Sequence, residues 1–137
     1  MKCSLIITTY NRPEALELVL LSVERQTVLP EEVIIADDGS DDKTQAVINN
    51  FQSNKILNIQ HSWQEDKGFR AAKSRNKALS ISTQEYIVLI DGDMVLHTHF
   101  IEDHLKHAQK GFVIQGKRSL LTKKRTSSAI KNQTTLF

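Results

Sequence analysis

Residues 86–93, Tyr86-Ile87-Val88-Leu89-Ile90-Asp91-Gly92-Asp93, constrain the fold more than any other stretch of the chain. Four aliphatic residues in unbroken succession offer no polar face to water. The run therefore reads as a strand buried on both faces, of the kind found at the centre of a parallel sheet. It ends in two carboxylates separated by a glycine, which puts Asp91 and Asp93 at the carboxyl end of the strand, the edge where open α/β sheets bind ligands. Gly92 is expected to let the chain turn there without a side chain blocking a ligand's approach. Two hard oxygen donors so placed suit Mg²⁺ or Mn²⁺ shared with a phosphate-bearing ligand. A metal–diphosphate site is the expectation.

The rest of the chain alternates strand and helix signals around that run. Residues 2–9 read as a first strand rich in β-branched residues. Asn11 and Pro13 then mark a helix start, with Asn11 as the expected cap, and Leu16, Val19, Leu20 and Val23 recur at helical spacing. Residues 32–36 form a second strand running into Asp37-Asp38-Gly39-Ser40, where Ser40 is the expected cap of a helix that buries Val47, Ile48 and Phe51. A weaker strand is expected over 55–60, a loop over 61–70 and a helix over 70–80 packing through Ala71, Ala72, Ala78 and Leu79. A short helix over 100–110 and a last strand over 112–115 follow, with little structure from 122 to 137. Such alternation specifies an α/β layered fold with a mainly parallel sheet flanked by helices. The 137 residues match one domain in size.

Two acidic clusters thus end two different strands. In a parallel sheet both ends open on one edge, so Asp37-Asp38 and Asp91-x-Asp93 share a crevice: one accepts hydrogen bonds from a base or ribose, the other holds a cation. Lys67 and Arg70 precede a helix that carries Arg75, and cations and free backbone amides there favour an anion such as diphosphate; Arg70 and Arg75, with planar bidentate forks, are the stronger candidates, and Lys73 and Lys77 read as a solvated face. Trp63 packs under a loop in the simpler reading and stacks on a ligand ring in the other. His97, His99, His104 and His107 lack the supporting cysteines of a zinc site and read as surface histidines. There is no Gly-x-x-x-x-Gly-Lys loop and no Gly-x-Gly-x-x-Gly fingerprint.

With these motifs assembled, the sequence resembles family 2 glycosyltransferases of the GT-A (Rossmann-like) fold. The resemblance rests on four stretches in order: Ser4 to Arg12, Ile34 to Ser40, Trp63 to Asn76, and Asp91-Gly92-Asp93 as an Asp-x-Asp motif. The third is similar to a bacterial subgroup that includes chondroitin-polymerase-like enzymes. The resemblance implies that Thr8, Tyr10, Asp38, Lys67, Arg70, Asp91 and Gly92 bind a UDP-sugar, with Asp38 accepting from the uracil, Arg70 flanking the base and Asp91 near the ribose. Asp93, with Asp91, would ligate Mn²⁺ or Mg²⁺. The implied reaction is inverting transfer to a glycan or lipid-linked acceptor in polysaccharide synthesis, with no nucleic acid partner.

One departure accompanies it. The family's general base is a carboxylate on a later segment, yet no Asp or Glu follows Asp103. The base is expected beyond Phe137, residues 1–118 are expected to be the donor-binding domain of a truncated fold, and 119–137 a basic tail opening a missing acceptor half. A non-catalytic nucleotide-sugar-binding module is the alternative. A receiver-type phosphoacceptor domain fits poorly, because the acid pair follows the second strand and not the first; nucleotidyl transfer is a further rival. The net charge of +2 conceals an asymmetry, since residues from Lys106 onward carry eight Lys or Arg and no acid. That segment reads most simply as a solvated, partly frayed terminus; the alternative is contact with an anionic lipid surface or a phosphate-bearing ligand. No run of about 18 apolar residues is present, the opening strand lacks a signal-peptide plan, and the lone Cys3 reads as a buried inert thiol. The expected location is cytoplasmic, with a peripheral contact on the inner membrane face.

Overall fold

The computed structural model describes residues 1–134. Strand β1 (Cys3–Thr9) is followed by helix α1 (Pro13–Glu24), β2 (Glu32–Asp37), α2 (Asp42–Asn54), β3 (Ile59–Trp63), α3 (Ala71–Ile81), β4 (Tyr86–Asp91), α4 (Phe100–His107) and α5 (Lys123–Asn132). The four strands are all parallel and lie in the order β3-β2-β1-β4. The chain steps outward from β1 to β2 to β3, then returns past β1 to lay β4 on its other side. The order reverses between β1 and β4, and such a reversal opens a crevice at the carboxyl ends of the strands.

Alternation along the strands splits the core in two. Leu5 and Ile7 of β1 and Val33 and Ile35 of β2 pack against Leu16, Val19, Leu20 and Val23 of α1 and Ile48 and Phe51 of α2. Ile6, Ile34 and Ala36 face the opposite way, onto Ala78 of α3. Both faces of β1 and β2 are thereby covered, which is why these strands are apolar throughout. Cys3 is buried at the start of β1, and burial pushes its thiol up to about 11, consistent with an inert packing role. Among the described residues no helix is long and apolar enough to cross a membrane.

Several local expectations need correction. β1 and β2, not β4, are the central strands; within the described residues β4 is an edge, and Leu89 is 49% exposed. An unbroken apolar run shows that a strand is hydrophobic, but not which neighbours cover it. Residues 112–115 form no strand: Phe112 and Val113 are exposed, and no strand among the described residues pairs with them. Residues 123–132 are helical although their sequence shows no apolar period. Thr122 caps α5 by accepting from the Arg125 N–H at 3.2 Å, and Ala129 is buried where the helix meets α1. Capping and docking through a narrow face, buried Ala129 with half-buried Thr126 and Ile130, hold this helix. The last three residues of the stretch expected to lack structure lie outside the described residues. β3 begins four residues later than expected, so His61, Ser62 and Trp63 belong to the sheet. Helix α3 buries Ser74 and Ala78, whereas Ala72 is exposed.

Neither expected cap caps its helix. Asp41 caps α2 by accepting from the Lys43 N–H, and Arg12 precedes α1 without a side-chain cap. Asn11 and Ser40 instead bond between the turns that follow β1 and β2. The Asn11 N–H donates to Ser40 Oγ at 2.9 Å, and the Asp41 N–H donates to Asn11 Oδ1 at 2.8 Å. Asn11 adopts a φ of 48°, a left-handed conformation that Asn tolerates better than most residues. The turn after β1 is thereby stitched to the turn after β2.

Candidate functional site

Parallel register brings the predicted acids to one place. Thr8 of β1 lies opposite Ala36 on one side and Asp91 on the other, and Thr9 lies opposite Asp37. The turn after β2 and the loop after β4 therefore flank the carboxyl end of β1.

The first cluster is buried and bonded internally. Asp37 is fully buried; its Oδ1 accepts from the Ser40 N–H at 2.8 Å, and its Oδ2 lies 2.7 Å from His61 Nε2. Burial alone would raise the Asp37 pKa, but the bonds from His61 and Ser40 outweigh it and hold the carboxyl below its usual range. His61 Nδ1 lies 3.0 Å from Gln45 Oε1, which fixes the ring from its other side. Asp38 is also buried. Its Oδ1 accepts from Gln64 Nε2 and its Oδ2 from the Arg70 N–H, each at 2.7 Å. Each of these oxygens retains a second lone pair, so the carboxylate is oriented without being exhausted as an acceptor. Gly39 makes the arrangement possible. Its φ is +102°, and a Cβ there would meet the backbone of Asp66 at 2.6 Å, so the 64–70 loop lies directly on the turn.

Tyr10 stands at the rim, about half exposed, and donates its hydroxyl to Asp66 Oδ2 at 2.7 Å. That hydrogen bond to a carboxylate is the main reason its phenol pKa is raised, so the ring remains a neutral donor. Arg70 donates from Nη2 to the Glu65 carbonyl, while its buried Nε has no protein partner. Lys67 is exposed and pairs with Glu65 at 3.1 Å. Trp63 donates its indole N–H to the Ser40 carbonyl and leaves nearly half its surface exposed.

The second cluster is open. Asp91 Oδ1 accepts from Thr8 Oγ1 at 3.1 Å, and its Oδ2 lies 3.6 Å from Arg118 Nη1; Asp93 Oδ2 lies 3.8 Å from Arg12 Nη1. Both carboxylates are about half exposed. Gly92 between them is buried, and a Cβ on it would meet the Thr8 carbonyl oxygen at 2.5 Å. The expectation that this glycine clears a path for ligand is thus corrected: it clears room for the backbone of β1. No group of three or more His, Cys, Asp or Glu able to hold a metal occurs among the described residues. A cation at Asp91 and Asp93 would take one or both of these carboxylates and complete its shell with ligand and water oxygens, the habit of Mg²⁺.

The structure thus brings Thr8, Tyr10, Asp38, Arg70, Asp91, Gly92 and Asp93 to the carboxyl ends of β1, β2 and β4 and the loop packed on them, and leaves Lys67 exposed on the 64–70 loop. Gln64, Asp66, His61, Arg12 and Arg118 bond or pair with these residues or their turns, yet no role had been assigned to them. Gln64 and Asp66 lie inside a stretch whose importance was legible; their individual roles depend on contacts with the Asp37-Asp38 turn, which only the fold reveals. For Arg118 a basic, glycine-punctuated stretch (Gly116-Lys117-Arg118) was the sole sequence signal.

Comparison with known proteins places this geometry in context. Residues 4–128 match the model of glycosyl transferase family 2. The chain is 34% identical over 103 residues to a hyaluronan synthase of Pasteurella multocida, covering 74% of this chain and 10% of that protein. It is 31% identical over 104 residues to a chondroitin synthase of Escherichia coli, covering 75% and 15%. Among solved structures, S. aureus TarS 1-349 in complex with UDP-GlcNAc superposes with a TM-score of 0.70 at 28% identity, covering 77% of this chain and 30% of that one. The chain therefore spans a minor part of each of these three proteins.

Proposed function

Because the chain belongs to glycosyl transferase family 2, we propose that the crevice at the end of β1 binds a UDP-sugar and a divalent cation for inverting sugar transfer in polysaccharide synthesis. The observation that carries this reading is the register of β1. A single strand end stands between a buried carboxylate held as an acceptor, Asp38, and two exposed carboxylates, Asp91 and Asp93. A fixed acceptor suits the base of a nucleoside diphosphate, and exposed carboxylates suit a cation shared with its phosphates. A similar structure solved with UDP-GlcNAc supports the choice of donor.

Asp38, fixed by Gln64 and the Arg70 N–H, takes the uracil imide N–H. Tyr10 lines the base and Arg70 flanks it. Thr8 orients Asp91 toward the ribose. Asp93, with Asp91, holds Mn²⁺ or Mg²⁺; half-exposed carboxylate oxygens beside a diphosphate are the donor set a hard cation prefers. When bound, the cation supplies Lewis-acid stabilisation of the UDP leaving group. In the reaction an acceptor hydroxyl forms a bond to the anomeric carbon from the face opposite UDP, the bond to the diphosphate oxygen breaks, and the hydroxyl proton passes to a base. We assign that base to no residue of this chain. These residues are the donor-binding part, and the acceptor is a glycan or a lipid-linked glycan.

The test is a calorimetric titration of UDP with and without Mn²⁺, comparing the wild type with Asp93→Ala. Binding that requires the metal and is abolished by the substitution is the expected result. A folded wild-type chain that binds no UDP with Mn²⁺ present would sink the proposal.

A further inference from the structure

Each carboxylate of the Asp91-Gly92-Asp93 loop is met by an arginine from a different part of the chain. Arg12 precedes α1 and approaches Asp93; Arg118 comes from the segment after α4 and approaches Asp91. At 3.8 and 3.6 Å neither pair is a hydrogen bond, and all four side chains are about half exposed. These are loose ion pairs that hold charge near the carboxylates without fixing it. Arg12, Asp93 and Arg118 also line one cleft of about 480 Å³, walled further by Leu18, Phe100 and Leu121. The arm carrying Arg118 is anchored just beyond it. Ala129 of α5 is buried, and Gln133 Nε2 donates to Glu17 Oε2 at 3.1 Å. Helix α5 thus fixes the reach of Arg118 by docking on α1.

Charge shows what such a pair does. Two carboxylates and one divalent cation cancel, so a diphosphate carrying two negative charges would enter with no countercharge from the loop itself. Two guanidiniums at the cleft supply it. A cation and an arginine also compete for the same carboxylate lone pairs, so a cation on Asp93 and Asp91 frees the guanidiniums. Their planar forks then match phosphate oxygens as they match carboxylates. We propose that Arg118, with Arg12, is an exchangeable clamp that neutralises the metal-binding carboxylates and transfers to the diphosphate of the donor when a divalent cation takes them. The inference rests on the donor-site reading above and extends it to the 117–121 arm.

Exchange predicts effects of opposite sign. Mn²⁺ binding without nucleotide is measured by electron paramagnetic resonance, and UDP and uridine binding with Mn²⁺ by calorimetry, on the full chain. In Arg118→Gln, loss of a competing cation tightens Mn²⁺ alone about 2- to 3-fold. The same substitution weakens UDP about 10-fold or more and leaves uridine within about twofold. Arg118→Lys keeps the charge without the fork and regains part of the UDP affinity. Arg12→Gln shifts Mn²⁺ and UDP in the same directions as Arg118→Gln. Mn²⁺ binding that is unchanged or weaker, UDP binding that is unchanged, or a parallel loss of UDP and uridine overturns the clamp. A wild-type chain that binds no UDP overturns the donor-site reading and the clamp together.

Discussion

The two acidic turns that flank β1 have similar sequences and opposite physics. Asp37 and Asp38 are buried, and every oxygen of theirs already accepts from Ser40, His61, Gln64 or Arg70. Asp91 and Asp93 are half exposed and touch their arginines loosely. A carboxylate in the first setting is part of the scaffold, because its desolvation must be offset by permanent bonds. A carboxylate in the second gains little from its neighbours and can exchange them for a ligand. The contrast assigns Asp37 to architecture, Asp38 to fixed recognition by an oriented lone pair, and the Asp91–Asp93 pair to exchange.

The largest break in that contrast should come from Asp37→Ala, which strands His61 and the Ser40 amide. Removing one partner of a buried pair costs about 3–5 kcal/mol, enough to unfold a marginal domain, and urea denaturation with far-UV circular dichroism measures it. The acid limb tests the same group. The bonds that hold its pKa below the usual carboxylate value contribute stability that is fully present above the unfolded value of about 3.9. That stability is lost as pH falls through the lower folded value. The Asp37 contribution should therefore stay flat from pH 7 to about 5 and fade only below about 4. Asp37→Asn should remove that acid dependence; a mutant with the wild-type acid limb would show that another group carries it.

Glycines sharpen the comparison at the next scale. Gly92→Ala drives a methyl group into the Thr8 carbonyl oxygen, a contact with backbone that cannot rotate away. Overpacking of this kind costs about 1–3 kcal/mol. Gly116 has open space around it, so Gly116→Ala should stay within about 0.5 kcal/mol of wild type. Equal thermal stability for the two variants would mean that the Asp91-Gly92-Asp93 loop is not pressed against β1.

Much of this was legible in the sequence, for identifiable reasons. The apolar runs of β1, β2 and β4, and the acids that end β2 and β4, point to a parallel sheet with its acids at one edge; the crevice itself depends on the strand order. Strand order itself is a long-range property: the composition of β4 does not say whether one or two strands flank it. α5 is hard to read because its inward face, half-buried Thr126 and Ile130 beside buried Ala129, carries little apolar surface. Asn11 and Ser40 read as helix caps, but each bonds to the other's turn and not to its own helix, and no local rule encodes a partner about 30 residues away. Among the site residues, Arg12 and Arg118, which flank the second acidic cluster, are not legible in the sequence, whereas those that contact the UDP-sugar or the cation under the proposed function are. The residues that position them (Gln64, His61, Asp66) became visible only when the 59–70 segment lay on the turn at Gly39.

The smallest effect carries the finest test of the contrast. Asp37–His61 and Asp91–Arg118 are both pairings of a carboxylate with a cationic or cation-forming group, at 2.7 and 3.6 Å, so a double-mutant cycle on each isolates what environment alone does. For Asp91→Asn with Arg118→Gln, solvent screening limits the coupling to about 0–1 kcal/mol. In 1 M NaCl, where the Debye length is about 3 Å, most of it should vanish. For Asp37→Asn with His61→Gln, water and salt ions are excluded, so the coupling should be larger and survive the same salt. The order of the two couplings matters more than their size. A salt-resistant Asp91–Arg118 coupling as large as that of the buried pair would make the arginine a fixture of the fold, and a guanidinium fixed in that way could not leave its carboxylate for a phosphate.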